Sequence, residues 1–397
     1  MKDISLYLFT ASYPFENTES FIDDELPILS QYFNKIEIVP LIGNLPQTRL
    51  VPKNVFVHTP IINSRRGQYI KGLFTFKTLP VFVKDFFVSK VFKNRKALKT
   101  WFIAYVQANN IVKSDCIRDV LKKINQDDIC YFYWGKGCNM LSALYPNKAH
   151  YISRFHGEWD LWEESSGDYG PIRNQVANGL DSAVFISKKG KEYFERKYPS
   201  CKTMLFPLGS KDFGYGLKSK DTIVRVVSCS TVYPLKRVPL IFQSLLSLPD
   251  SVKIEWTHMG GGPDFDELKN LIATNKRKNI SVSLKGDMSH DCVMDFFKNS
   301  PIDIFVNLST NEGVPVSIME AISFDIPVVA TNVGATSEVV SNDVGVLVDS
   351  DPTPKDVATA IIGVLENKEK FTPRSYWETH YNATHNYNAF AQYLANL

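Results

Sequence analysis

Two glutamates eight residues apart, Glu312 and Glu320, are the side chains of this chain best placed for chemistry on a polar ligand. They lie in residues 302–340, IDIFVNLSTNEGVPVSIMEAISFDIPVVATNVGATSEVV. The pattern predicts a buried strand ending near Leu308, a polar loop over Ser309–Gly313, and Pro315 at a first helical position, a place proline favours. A helix through Ser317, Glu320 and Ala321 follows, stops before Asp325–Pro327, and gives way to a strand, Pro327–Ala330. Glu312 therefore falls at the carboxyl end of a strand, just ahead of a helix start. Gly313 lets backbone approach a ligand, and the free amides of the helix start could hold a phosphate. Glu320, about two turns along the helix, could accept two neighbouring hydroxyls, as on a ribose or a sugar ring. Two glutamates at this spacing are common on solvated helices. The surrounding order of strand, Ser-Thr-Asn-Glu-Gly, proline, Glu-Ala helix, Pro-Val-Val-Ala-Thr and Gly334 is what singles these two out.

Such a loop needs a parallel sheet to hold it. Short apolar runs at Ile4–Phe9, Lys35–Leu41, Ile129–Tyr133, Tyr151–Phe155, Ser182–Ile186 and Thr203–Phe206 alternate with helical patterns, the signature of an α/β fold. Pro207–Asp221, rich in Gly and Lys, is expected to be a linker. A second series has strands at Ile223–Cys229, Val252–Met259, Ile280–Lys285, Ile302–Leu308, Pro327–Ala330 and Gly345–Val348. The expected organisation is a first domain over 1–206, a linker over 207–221, a second domain over 222–375 and a closing helix over 376–397. Two doubly wound Rossmann-like domains would face each other across a cleft, with ligands at the carboxyl ends of the strands.

Bulk properties agree. The 397 residues suit two domains, and 44% hydrophobic with 22% charged residues excludes disordered and collagen-like chains. The six cysteines show no C-x-x-C pair and no zinc or disulfide spacing, which suits a reducing cytosol. The amino-terminal run reads as a first strand rather than a signal peptide, and no apolar run approaches the ~20 residues a membrane span needs. The net charge is only +3, yet residues 64–123 hold 14 Lys/Arg against 3 Asp. Lys84, Lys90, Lys93, Arg95, Lys96 and Lys99 are interleaved there with Phe86, Phe87, Val91, Phe92, Trp101 and Phe102, a basic amphipathic surface suited to an anionic membrane. No nucleic-acid-binding motif accompanies the charge.

The 302–340 stretch resembles the donor-binding signature of the retaining family-four glycosyltransferases of the GT-B fold, and the resemblance extends in order over nearly the whole chain. It implies that Glu312 contacts the donor sugar, that Glu320 holds the ribose, and that Gly313, Val314, Pro315 and Val316 lie along the sugar and diphosphate. SCSTVYPLKRVPLI, residues 228–241, resembles the diphosphate loop, in which the family carries Gly-Arg and then a lysine. Lys236 matches the lysine, Thr231 replaces the arginine, and Arg237 is expected to supply the missing charge. Basic residues disfavour a helix amino terminus, so a phosphate there makes sense of the pair.

WTHMGGGPDFDEL resembles the family's glycine-rich turn, in which Gly261 and Gly262 pass close to the nucleotide, and SLKGDMSHD resembles the segment whose Gly286 and Met288 flank the base. Asp264 and Asp266 form a D-x-D that in another fold binds metal. Here the pair opens a helix, where acidic residues are favoured anyway, so no metal is expected. RFHGEWDLWEE resembles the strand-end segment that aims His156 at the donor sugar. In SYPFENTESFIDDEL, Glu16 and Asn17 stand where relatives carry glycines, so no phosphate contact is expected there.

The implied activity is transfer of a sugar, with retention and without metal or other cofactor, from a UDP- or GDP-linked donor. The acceptor is expected to be a glycan, lipid-linked, in surface polysaccharide (capsule or lipopolysaccharide) synthesis. The implied location is the cytoplasm, peripheral at the inner membrane face through Lys84–Phe102. A nucleotide-sugar epimerase of the same plan and a non-catalytic subunit are the rival readings.

Overall fold

The computed structural model describes residues 4–16, 19, 21–43, 46–62, 77–157 and 160–397. The chain forms two compact units, Met1–Phe206 with Tyr387–Leu397, and Pro207–Asn386. Among the described residues no helix is long and apolar enough to cross a membrane.

The first unit is built on β1 (Ser5–Thr10), β2 (Lys35–Pro40), β3 (Val55–Val57), β4 (Ile129–Phe132), β5 (His150–Phe155), β6 (Ser182–Phe185) and β7 (Thr203–Leu205), in the order β3-β2-β1-β4-β5-β6-β7. Every pairing is parallel. Every residue of β4 and β6 is buried. Helices cover both faces of such a sheet, which is why its strands read as apolar runs rather than alternations. β3, three residues long, is too short to show a period and was not anticipated.

The second unit holds β8 (Val224–Cys229), β9 (Ile254–Met259), β10 (Ile280–Leu284), β11 (Ile304–Asn307), β12 (Val328–Thr331) and β13 (Gly345–Val348), in the order β10-β9-β8-β11-β12-β13. All of these pairings are parallel. Val226, Trp256, Ile304, Val306 and Val329 meet Ile241, Phe242 and Ile361 from flanking helices in one core. Both sheets thus carry the two-domain GT-B architecture.

Two boundaries differ from expectation. Residues 207–221 belong to the second unit, tied to it by bridges from Ser210 to Asn382 and from Leu217 to Pro301. Isolated bridges leave no periodic pattern, so this stretch reads as a linker. The terminal segment is two helices, Pro373–His380 and Ala383–Ala395, broken where Asn382 pairs with Ser210. Phe390, Ala391 and Leu394 are buried in the first unit's core with Leu6, Leu8 and Tyr131.

Candidate active site

In the second sheet the strand order reverses between β8 and β11, neighbours that run parallel. The loops leaving their carboxyl ends diverge around such a point, and ligands of open α/β sheets bind there. Lys236 closes a short 3₁₀ turn, Pro234–Lys236, in the loop after β8. Glu312 lies in the loop after β11. The Lys236 ammonium donates to Glu312 Oε1 at 2.7 Å, with the two side chains only 20% and 8% exposed. The same oxygen accepts from Ser309 Oγ at 2.6 Å and Asn307 Nδ2 at 3.2 Å. Three donors converge on Oε1, and among the described residues none meets Oε2. The carboxylate is thus fixed by one oxygen while the other can accept hydroxyls of a ligand.

The loop that carries Glu312 is pinned along its length. Thr310 N–H donates to Leu235 O at 2.8 Å, Thr331 Oγ1 to Ser309 O at 2.6 Å, and Ala335 N–H to Gly313 O at 3.1 Å. Gly334, at φ +54°, lies so close that a Cβ there would stand 1.6 Å from Glu312 O. Pro315 is not the first helical residue, as the sequence suggested, but the residue before it: its ψ of 102° is extended, and the helix runs Val316–Ser323. The first amides of that helix, from Val316 and Ser317, have no intrahelical partner. Val314 and Pro315 are buried, while Gly313 and Val316 are half-buried.

Arg237 has a different place from the one expected. It adopts φ +46°, a left-handed conformation that costs a non-glycine residue about 1–2 kcal/mol. Its guanidinium donates to Leu308 O at 2.6 Å, to Ser309 O at 3.1 Å, to Ser350 O at 2.7 Å and to Asp351 Oδ1 at 3.2 Å. Four of its five N–H groups are thereby committed, three of them to backbone carbonyls. Arg237 braces the loop ahead of Glu312 rather than presenting a cation for a diphosphate. Thr231 is exposed and supplies no charge.

Glu320 Oε1 meets His290 Nε2 at 2.8 Å. Burial pushes the Cys229 thiol at the end of β8 up to about 12, and the negative charge of Glu320 adds to the shift. The glycine turn packs against the loop after β8. A Cβ at Gly260 would lie 2.0 Å from Ser230 O, and one at Gly262 would lie 2.4 Å from Val232 O. The loop after β8 itself comes close enough to require glycine at both positions. Gly261 N–H donates to Asp287 Oδ1 at 2.8 Å. Gly286, in contrast, faces open space, and Met288 nearby is half-buried. Asp264 donates its amide to Val232 O at 3.1 Å, and exposed Asp266 pairs with Lys269 at 2.9 Å.

In the first unit His156 follows β5. Its ring packs against Trp134, Tyr133 and Phe21 at centroid distances of 4.3, 5.0 and 6.0 Å. The side chain is 10% exposed, and neither ring nitrogen has a hydrogen-bond partner among the described residues. Asp160 accepts the amides of Gly135, His156 and Gly157 at 2.9–3.1 Å and lies 3.6 Å from His156 Nδ1. Burial raises the pKa of that carboxyl, but the His156 ring and the amides outweigh it and hold it below the usual value.

Residues 212–378 match the family model described as glycosyl transferases group 1. The second unit is a group 1 glycosyltransferase domain. Over 268 residues the chain is 22% identical to an uncharacterized glycosyltransferase of Methanocaldococcus jannaschii, covering 67% of this chain and 70% of that protein. HepE of Anabaena, solved in complex with UDP, shares the fold with a TM-score of 0.65 at 14% identity over 99% of this chain and 100% of its own. The lipopolysaccharide outer core galactosyltransferase WaaB, in its apo form, does so with a TM-score of 0.69 at 12% identity, again over 99% and 100%.

The glycosyltransferase domain also contains partners that the sequence did not signal. Asn307 and Ser309 hold Glu312, and His290 holds Glu320, across separations of 3–30 residues. In the first unit, the Glu19 carboxylate accepts the amides of Ala11, Ser12 and Tyr13 at 3.0, 2.7 and 2.7 Å and the indole of Trp134 at 2.5 Å. The loop after β1 therefore satisfies these amides with its own carboxylate.

Proposed function

We propose that this protein transfers a sugar, with retention at the anomeric carbon, from a UDP- or GDP-linked donor to a glycan acceptor. A lipid-linked acceptor in surface polysaccharide synthesis is the reading we favour, with the protein in the cytoplasm. The observation that carries the proposal is the ion pair between half-buried Lys236 and buried Glu312 at the strand-order reversal of the second sheet. The WaaB galactosyltransferase and the HepE complex with UDP support the substrate class.

The difficult step is departure of the nucleoside diphosphate while positive charge grows on the sugar ring. Lys236 would neutralise the leaving phosphate, helped by the amides of Val316 and Ser317. Glu312 Oε2 would take sugar hydroxyls while Oε1 keeps the lysine aligned. Glu320 would take the ribose hydroxyls, and Arg237 would keep the loop before Glu312 in place. Removing a hydrogen bond to a charged group costs about 1.5–3 kcal/mol, so Glu320→Ala should weaken nucleoside diphosphate binding by roughly 10-fold or more. An unchanged Kd would withdraw the ribose assignment.

Because the Lys236 ammonium and the helix-start amides would serve the diphosphate, turnover should not depend on a divalent ion. The test is release of nucleoside diphosphate from UDP- and GDP-sugars in the presence of glycan acceptors, before and after dialysis against EDTA. The expected result is acceptor-dependent release with an unchanged rate. Loss of activity restored by manganese would reassign Asp264 and Asp266, and donor conversion without any acceptor would favour an epimerase.

A further inference from the structure

Residues 79–113 form a helix, Leu79–Val88, a 3₁₀ turn, Val91–Lys93, and a long helix, Arg95–Lys113. Phe82, Val91, Ala97, Ala104 and Ala108 are buried, and Trp101 fastens the two helices by donating Nε1–H to Phe82 O at 3.0 Å. The opposite side is unusual. Of the 11 large hydrophobic side chains exposed among the described residues, 7 fall within residues 83–103. The most open are Phe87 at 65%, Val88 at 60%, Phe92 at 54% and Phe102 at 46%. Phe86 packs edge-on to Phe87 and tilted against Phe92, with centroids 5.5 and 5.8 Å away, so the tip between the helices is a packed aromatic knob rather than a frayed turn.

Along residues 77–113 the exposed charge has one sign, and the acidic side chains beside it are Glu164 and Asp168, which flank the Gly167 that packs on Asn94. Lys84, Lys90, Lys93, Arg95, Lys96 and Lys99 are all exposed. The sole acidic residue between 77 and 113 is Asp85. It is 1% exposed, and its carboxylate is taken by the hydroxyls of Tyr169 and Ser89. The fold has thus removed this segment's one negative charge from the surface while leaving its phenylalanines and lysines outside. A second copy of the chain would oppose like charges there. An acidic protein surface would pair the lysines but would leave the phenylalanines without a matching apolar layer. A lipid bilayer with anionic headgroups offers both, since aromatic rings enter the boundary between headgroups and acyl chains while lysines stay among the phosphates.

We infer that the knob at Phe87–Lys93 and the adjoining exposed face of Arg95–Lys113 dock this protein on an anionic membrane surface. The inference does not depend on the glycosyl-transfer proposal, because it is read by binding alone.

The test is co-sedimentation of the full chain with vesicles of phosphatidylcholine alone or with phosphatidylglycerol. The expected result is binding only to the anionic vesicles, weakened by salt. Each basic residue near such a surface contributes about a 5-fold factor, so Lys93→Glu/Arg95→Glu/Lys96→Glu should lower partitioning by about 100-fold or more. Phe87→Ser/Phe92→Ser should lower it by roughly 10-fold at constant charge. A Phe92→Trp variant, which keeps the knob aromatic, should show quenching by brominated acyl chains. Equal binding to both vesicle types, wild-type binding by the charge-reversed variant, or an unquenched tryptophan would overturn the inference. Tighter binding to a short RNA than to vesicles, lost in the same charge variant, would overturn it in favour of nucleic acid.

Discussion

Lys236→Ala is expected to cut kcat by about 100-fold or more at saturating donor, the scale of removing one preorganised electrostatic donor. The lysine is the side-chain cation that the loop after β8 presents at the strand-order reversal, and its ammonium already lies 2.7 Å from Glu312 Oε1. Its loss removes compensation for the leaving phosphate and also leaves a nearly buried carboxylate without its counter-charge, so the donor should bind more weakly as well. Arg237→Ala should behave differently. It abandons the brace to Leu308, Ser309 and Ser350 but keeps the left-handed backbone, so thermal stability should fall along with turnover. Arg237→Gly relieves the backbone strain and should recover part of the stability but not the brace. Single-turnover kinetics and melting curves separate the cases. Wild-type kcat in Lys236→Ala would remove this residue from the mechanism.

Gly334→Ala should have an effect of similar size for a purely geometric reason. The added Cβ would stand 1.6 Å from the Glu312 carbonyl oxygen, and its neighbours are backbone atoms that cannot swing aside. The loop carrying Glu312 must therefore move. A displacement of about 1 Å at a reacting centre can cost about 100-fold in rate. The domain should still fold, with a lower Tm, because the clash lies in a loop and not among the buried strands. Unchanged kinetics with the expected loss of Tm would show that the position of Glu312 is not critical.

The contrast between Gly334 and Arg237 shows what sequence can carry. Strand runs such as Ile129–Tyr133 and Ile302–Leu308 were legible because buried parallel strands are nearly continuous in apolar residues. The placement of Glu312 at a strand end followed from the same periodicity. The partners of each site residue were not legible. Nothing in the type of Arg237 tells that its backbone is left-handed or that its guanidinium faces carbonyls 71–113 residues away. The glycines at 260 and 262 were readable as glycines required by close approach. Whether a ligand or the chain itself makes that approach depends on the tertiary path of the loop at Ser230–Val232. The same limit hid Glu19, whose carboxylate fills the amides after β1, and the bridges that attach residues 207–221 to the second unit. Local composition specifies elements. Hydrogen bonds between distant loops decide which side chains are left for chemistry.

The central claim is that the strand-order reversal of the second sheet binds a nucleoside diphosphate through Lys236 and Glu320. Isothermal titration of UDP and GDP into the wild type, Lys236→Ala and Glu320→Ala tests it most directly, because it reads binding without knowledge of sugar or acceptor. The account predicts one-to-one binding of one of the two nucleotides to the wild type, weakened by roughly 10-fold or more in each variant. Equal affinity in all three proteins, or no binding of either nucleotide, would contradict it.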